Sequence, residues 1–193
     1  MVESNKGGGD MKPAVISCVF MNLVVSLMLS GCQSSSAMHK KTQIVDSAHC
    51  NQVNPDQPFL LVLKKGDELI SSLQQCAKAA NLPAAVVSGG VGALHNPTVA
   101  YYSLRQHKYI DKQLDKGDVE LLSASGNITW LKQAPFAHIH VTLGDTDYQV
   151  WGGHLIKGTI AVVGELMVTP LHTKGVRKMD ADLQLNTIQV QQK

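Results

Sequence analysis

The fold class is decided within the stretch Phe59-Leu-Leu-Val-Leu-Lys-Lys-Gly-Asp-Glu-Leu-Ile-Ser-Ser-Leu-Gln-Gln-Cys-Ala-Lys-Ala-Ala80. Its first five residues form a short apolar run, which predicts a buried strand that ends at Lys64. From Glu68 onward, apolar residues recur every three or four positions, a spacing typical of one buried helix face. We therefore expect a strand followed by a helix, with Asp67 as the N-cap and Asn81-Leu-Pro83 as the end.

The rest of the chain has β-type composition, punctuated by Gly, Asp, Asn and Pro. We expect a buried strand at residues 84–87, then a glycine-rich loop, Ser88-Gly-Gly-Val-Gly92, that serves a tight turn or close subunit packing. The further expected strands are at residues 98–104, 119–128, 138–143, 149–151, 159–168 and 181–190. This pattern predicts an α+β fold, in which a mainly antiparallel or mixed sheet packs with one or two helices.

Length and composition limit the kinds of partner. The 193 residues are 44% hydrophobic and 17% charged, which suits one domain of roughly 100–150 residues with an attached segment. The 17 Lys and Arg residues and the 15 Asp and Glu residues are scattered, so no basic stripe follows a phosphate backbone. Aromatic residues make up only 5%, which leaves few rings for stacking bases. Nucleic acid is therefore not an expected partner.

The N-terminal segment has the pattern of an export signal. An apolar run at residues 13–29 follows Lys12 and ends in Leu29-Ser-Gly-Cys32, where two small residues precede a cysteine. This pattern predicts a signal peptide with a lipobox at residues 1–31, cleaved before Cys32, whose thiol then carries the lipid anchor. The alternative is an uncleaved membrane anchor, for which the apolar run is short. The resemblance to bacterial lipoproteins implies the outer membrane, facing the periplasm.

The segment after the lipobox, residues 32–58, is polar and rich in Ser, Asn and Gln, so we expect a flexible tether before a domain at residues 59–193. Cys50 of this tether and Cys76 of the predicted helix can form a disulfide in an oxidising periplasm. The alternative is a buried, reduced Cys76 with a free or intermolecular Cys50. The sequence leaves both open.

Candidate metal ligands lie in Ala137-His-Ile-His-Val-Thr-Leu143. Alternation along a strand sends His138 and His140 to one face and the apolar residues to the other. His154, which follows Gly152-Gly153, can supply a third imidazole. Three neutral imidazoles with open positions suit Zn²⁺ or another divalent transition metal, whereas Mg²⁺ and Ca²⁺ prefer oxygen. The alternative is that these histidines form hydrogen bonds within a polar sheet face or at a subunit interface.

Glu165 is the candidate catalytic residue. It interrupts an apolar run at residues 159–168, where a carboxylate must be paired, protonated or exposed. The expected partners are a metal-bound histidine or Arg177. A role as general base for a metal-bound water is conceivable, but no nucleophile, cofactor motif or second catalytic carboxylate accompanies Glu165. The sequence therefore favours a binding protein over an enzyme.

Six ordered blocks resemble the plant and prokaryote conserved (PPC) domain family. They are Lys65-Gly-Asp-Glu-Leu69, Val86-Val-Ser-Gly-Gly-Val-Gly-Ala93, Glu120-Leu-Leu-Ser-Ala-Ser-Gly-Asn127, Ala137-His-Ile-His-Val141, Gly152-Gly-His-Leu155 and residues 158–165. The resemblance covers roughly residues 59–190. It implies a sheet packed with helices, a homotrimer and, in some bacterial members, a metal on the histidine set. Plant members carry a DNA-binding AT-hook before the domain, and this sequence contains no such motif.

Three functions follow as hypotheses. The first is a trimeric envelope binding module that holds a divalent metal or small ligand at His138, His140 and His154. The second is DNA binding, by analogy with the plant relatives. The third is a metal-dependent hydrolase or lyase that uses Glu165. The sequence does not identify a natural ligand.

Overall fold

The computed structural model describes residues 43–189, which form nine strands and two helices. The strands are β1 (Gln43–Asp46), β2 (Phe59–Lys64), β3 (Ala84–Ser103), β4 (Lys108–Gln113), β5 (Asp118–Leu131), β6 (Ala134–Gly144), β7 (Val150–Leu171), β8 (Val176–Asp180) and β9 (Leu185–Ile188). The helices are a 3-10 helix at Ser47–Gln52 and α1 at Leu69–Ala79. The predicted α+β class is confirmed. The predictions for residues 1–31 and for Cys32 lie outside the described residues.

Helix α1 forms where the apolar periodicity predicts it, and its buried face packs on the sheet through Leu69, Leu73, Cys76 and Ala77. The predicted N-cap is wrong by one residue. The carboxylate of Glu68 accepts hydrogen bonds from the backbone N–H groups of Ile70, at 3.2 Å, and Ser71, at 2.7 Å. The Asp67 carboxylate instead accepts from the backbone N–H of Lys64 and closes the preceding turn. Within residues 43–189, no helix is both long and apolar enough to span a membrane.

The strands form one mixed, mainly antiparallel sheet. Its order is β1-β2-β7-β3-β5-β8-β9, with β4 paired to β3 and with β6 paired to both β5 and β7. Only the β1–β2 and β5–β8 pairs of the described strands are parallel. Because β3, β5, β6 and β7 pair in a closed circuit, these long strands must bend, and β3 shifts register against β7 at several points. This circuit and α1 enclose the apolar core.

The glycine-rich segment at residues 88–92 is part of strand β3, so its prediction as a loop is wrong. Gly92 has a φ of +148°, and a Cβ at this position would lie 2.0 Å from the carbonyl oxygen of Val163 in β7. The absent side chain therefore lets β3 and β7 approach each other closely. Gly92 thus serves the packing of two strands within one chain, and a continuous strand stands where the sequence had suggested a tight turn.

The packed region begins before Phe59. Strand β1 pairs in parallel with β2, and the 3-10 helix that follows β1 places Cys50 in the core. Cys50 forms a disulfide with Cys76 of α1, and their Cα atoms are 5.1 Å apart. Of the two alternatives for these cysteines, the structure therefore has the paired one. Residues 43–58 differ from the expected flexible tether because strand pairing and the disulfide fix them to the sheet and to α1.

Candidate metal centre

Three histidines come together where β6 pairs with β7. In β6, Ile139 and Val141 are buried, and the alternating His138 and His140 point to the other face. The antiparallel register places His140 directly opposite His154 of β7. Alternation thus explains two of the three positions, and strand pairing supplies the third.

The three side chains are close enough to share one ion. Their candidate ligand nitrogens all lie within 4.8 Å of one another. The Nε2 atoms of His138 and His140 are 3.1 Å apart. The ring centroid of His154 lies 4.8 Å from the centroid of His138 and 5.5 Å from the centroid of His140. Zinc–nitrogen bonds are about 2.1 Å long, so ligand nitrogens around one tetrahedral ion stand roughly 3.4 Å apart. Small side-chain movements would bring all three to that separation.

A buried nitrogen without a partner supports this interpretation. His154 is only 8% exposed, and its Nδ1 atom has no hydrogen-bond partner among the described residues. Leaving such an atom unsatisfied costs roughly 1–3 kcal/mol. The ring itself is held by stacking on Tyr109 of β4, with 4.8 Å between centroids. A set of imidazole nitrogens with one unsatisfied member fits a divalent transition metal, which binds such donors well.

The surroundings of His138 and His154 keep both imidazoles neutral. Burial, with smaller contributions in the same direction from the nearby His154, Arg177 and His140, lowers the pKa of His138 from 6.5 to about 4. Burial also lowers the pKa of His154, with smaller effects in the same direction from His140 and Arg177 and an opposing effect from Asp111. Metal binding requires neutral imidazole. At neutral pH, protons therefore compete little for these two residues.

Arg177 of β8 is the charged residue of this site. It is 6% exposed and donates from Nε to the hydroxyl of Thr129 at 2.8 Å. Its Nη1 donates to the carbonyl oxygen of Asn186 at 3.0 Å, and its Nη2 donates to the side-chain oxygen of Asn127 at 2.9 Å. The same Nη2 lies 3.2 Å from Nδ1 of His138. Arg177 thus links β5, the β8–β9 hairpin and the histidine cluster.

These contacts assign the ring proton of His138 in the metal-free protein. A guanidinium group can only donate, so Nδ1 of His138 accepts a hydrogen bond from Arg177. The proton of the neutral ring is then on Nε2, which faces Nε2 of His140. That position between the two rings is the one from which a metal ion would displace the proton.

Glu165 does not belong to this cluster. It lies in the same strand as His154 but eleven residues farther along, which is roughly 35 Å of extended strand. It is exposed, and its neighbours across the sheet are Val62 and Val91. Neither expected partner contacts it, since Arg177 bonds elsewhere. Of the three states that the sequence allowed for this carboxylate, the structure has the exposed one, and the arrangement offers no support for a general base.

Comparisons with known proteins identify the fold. A family model for the Plants and Prokaryotes Conserved (PCC) domain matches residues 50–172. A plant- and prokaryote-conserved (PPC) protein from Pyrococcus horikoshii is 28% identical with a TM-score of 0.63, over 70% of this chain and 94% of its own. A metal-containing protein from Archaeoglobus fulgidus is 28% identical with a TM-score of 0.64, over 69% and 94%. A proposed DNA-binding protein from Ralstonia eutropha JMP134 is 28% identical with a TM-score of 0.64, over 68% and 90%. No curated protein matches the chain.

Proposed function

The chain belongs to the Plants and Prokaryotes Conserved (PCC, or PPC) domain family. From this membership and from the site, we propose that it is a binding module for a divalent transition metal, with zinc as the first candidate. His138, His140 and His154 are the proposed ligands. The observation that carries the proposal is the convergence of three imidazoles, one of which, His154, has a buried and unsatisfied Nδ1. The description of the Archaeoglobus relative as metal-containing supports it.

The donor set also limits the chemistry. Three neutral imidazoles leave at least one coordination position for water or a ligand, and a metal in such a site acts as a Lewis acid. No carboxylate of the described residues belongs to the cluster. The site therefore has the features of a ligand-binding metal centre, and it lacks an identified acid–base residue for hydrolase or lyase chemistry.

The test is elemental analysis and zinc calorimetry on the full chain, purified without chelator. We expect stoichiometric zinc in the unmodified chain and none in the His138→Ala/His140→Ala variant, because a single remaining imidazole holds a metal weakly. His95→Ala is the matched control, since it removes an exposed histidine that pairs with Asp118 outside the cluster. If the unmodified chain binds no zinc, nickel or cobalt, the proposal is wrong.

DNA binding is the second candidate function. Its support is the description of the Ralstonia relative. The cations of the described domain are interspersed with carboxylates, and Lys64 and Lys116 form ion pairs with Asp46 and Asp145. We therefore expect no shift of duplex DNA at low salt. A shift whose affinity falls steeply with salt would reverse the order of the two candidates.

We also propose that Cys32 carries a lipid anchor that holds the domain at the outer membrane, facing the periplasm. The lipobox pattern at residues 29–32 supports this location. The Cys50–Cys76 disulfide is consistent with it, because disulfides persist in oxidising compartments. Labelling with radioactive palmitate should mark the unmodified chain and not a Cys32→Ser variant. Equal labelling of both would contradict lipidation at this residue.

A homotrimer is proposed from the family resemblance. Its support in the structure is three exposed apolar side chains on adjacent strands, Val91 of β3, Leu122 of β5 and Val162 of β7. These are 52%, 50% and 67% exposed, and a second copy of the chain would cover them. Light scattering should show trimers for the unmodified chain and smaller species for Val162→Asp. A monomeric unmodified chain would exclude this assembly.

A further inference from the structure

We propose that the cavity beside the histidine cluster binds a small carboxylate anion, with Arg177 as its anchor. This inference rests on the proposed metal site and adds the class of ligand that the site takes. The cavity has a volume of about 290 Å³ and is lined by His138, His154, Arg177, Tyr109 and Phe136, together with residues of the β8–β9 hairpin. This volume is at the small end of ligand pockets, which suits an organic acid of low mass.

The charge of the site favours an anion. Arg177 is buried, and its four hydrogen-bond partners are all neutral: a hydroxyl, a backbone carbonyl, a side-chain amide and an imidazole. No carboxylate of residues 43–189 forms an ion pair with it, although buried arginines are normally paired. Asp111, which acts on His154, is exposed on β4. A divalent ion on three neutral imidazoles would raise the local charge further, and an anion from solution would balance it.

Arg177 has more N–H donors than it has partners among the described residues. Of its five N–H groups, three donate to oxygen atoms and one on Nη2 points to His138. The fifth, on Nη1, has no partner within the described residues. When Nε2 of His138 is a metal ligand, the neutral ring carries its proton on Nδ1, which then repels the N–H of Arg177. Metal binding therefore leaves one free N–H on each terminal nitrogen of the guanidinium.

This donor pair favours a carboxylate over other anions. With one N–H group on each terminal nitrogen, the guanidinium can donate to both oxygens of a carboxylate in charge-assisted hydrogen bonds. The cavity walls are aromatic, with the ring of Phe136 at 5.0 Å from the guanidinium carbon and the ring of Tyr109 stacked on His154. Such walls suit a planar apolar body attached to the carboxylate. Inorganic phosphate, which lacks that body, should bind more weakly.

The experiment compares benzoate with benzamide, its neutral counterpart of nearly the same shape. Both are titrated by calorimetry into the zinc-loaded full chain. We expect benzoate to bind about tenfold more tightly than benzamide, because a charge-assisted hydrogen-bond pair contributes at least that factor. Benzoate should also bind more tightly to the zinc-loaded chain than to the metal-free chain. Equal binding of benzoate and benzamide would overturn the proposal, and so would tighter binding of phosphate than of benzoate.

A pair of variants tests the role of Arg177. Arg177→Met removes the guanidinium, and Lys178→Met removes an exposed cation from the next position of the same strand. At equal zinc content, we expect the first to lose about tenfold in benzoate affinity and the second to bind benzoate normally. Unchanged benzoate affinity in Arg177→Met would overturn the proposal. If that variant does not fold, the benzoate and benzamide comparison on the unmodified chain still decides.

The two proposals fail in different ways. A chain that binds zinc but does not distinguish benzoate from benzamide keeps the metal site and overturns the carboxylate pocket. A chain that binds no zinc but prefers benzoate keeps the Arg177 pocket and overturns the metal site. Zinc content measured on every sample separates the two outcomes.

Discussion

The disulfide between Cys50 and Cys76 holds the N-terminal segment to helix α1, and its removal is the perturbation with the most direct consequence for stability. Both cysteines are buried, at 0% and 2% exposure, and they are 26 residues apart in sequence. The variant to make is Cys50→Ala/Cys76→Ala, because alanine leaves no polar atom in the core. In the unfolded chain, this change releases a closed loop and lets the two segments separate.

The expected loss follows from the size of that loop. Closing 26 residues in the unfolded state lowers its entropy enough to stabilise the fold by about 3.5 kcal/mol at 25 °C. For a domain of this size, such a loss lowers the melting temperature by roughly 7–14 °C. Urea unfolding monitored by circular dichroism would measure the free energy, and calorimetry would measure the melting temperature.

The control is the double variant in reductant. Reductant should lower the stability of the unmodified chain to nearly that of the variant, and it should leave the variant unchanged. If the oxidised chain and the variant unfold at the same urea concentration, the disulfide does not restrict the unfolded chain as argued. If reductant also destabilises the variant, its effect does not come from the Cys50–Cys76 pair.

Three shorter predictions concern the site. Gly126 of β5 has a φ of +158°, and a Cβ at this position would lie 1.9 Å from the carbonyl oxygen of His138. Gly126→Ala should therefore displace His138 and weaken zinc binding about tenfold or more in calorimetry, whereas the control Gly144→Ala should not. Since the fold lowers the pKa of His138 to about 4, the unfolded chain takes up a proton there first, and metal-free stability should fall as the pH drops from about 6.5 to about 4. Urea unfolding of His138→Gln should show a flatter profile in that window. Glu165→Gln should leave zinc affinity unchanged, because this residue is exposed and outside the cluster.

The parts of the fold that depend on local periodicity could be predicted from the sequence. The three- and four-residue spacing from Leu69 to Ala77 predicts α1, and the alternation in β6 predicts which residues of that strand are buried. The glycine-rich segment of β3 could not be predicted, because its conformation depends on Val163, which is far away in the sequence. Glycine permits both a turn and a close strand contact, and only the partner strand distinguishes them.

Some residues of the site could also be predicted from local patterns, and others depend on pairing between distant strands. His138 and His140 share a face because of alternation, which is a local rule, but the place of His154 depends on the register of β6 against β7. Tyr109 was not predicted as a site residue at all, since nothing in β4 itself points to the cluster. Arg177 was one of two expected partners of Glu165, and the structure instead pairs it with neutral groups that include His138. Its role depends on how the C-terminal hairpin packs against β5, which no local sequence pattern determines.

The region matched by the family model contains the proposed metal ligands but not the proposed carboxylate anchor. The three histidines lie inside residues 50–172, the region that the family model covers, whereas Arg177 and the β8–β9 hairpin lie beyond it. Membership of the family therefore bears on the metal ligands and not on the residue proposed to select the ligand. The support for a carboxylate comes only from this chain, from a buried cation with neutral partners beside three imidazoles. The identity of the natural ligand accordingly depends on the hairpin, which contributes Arg177 and part of the cavity wall.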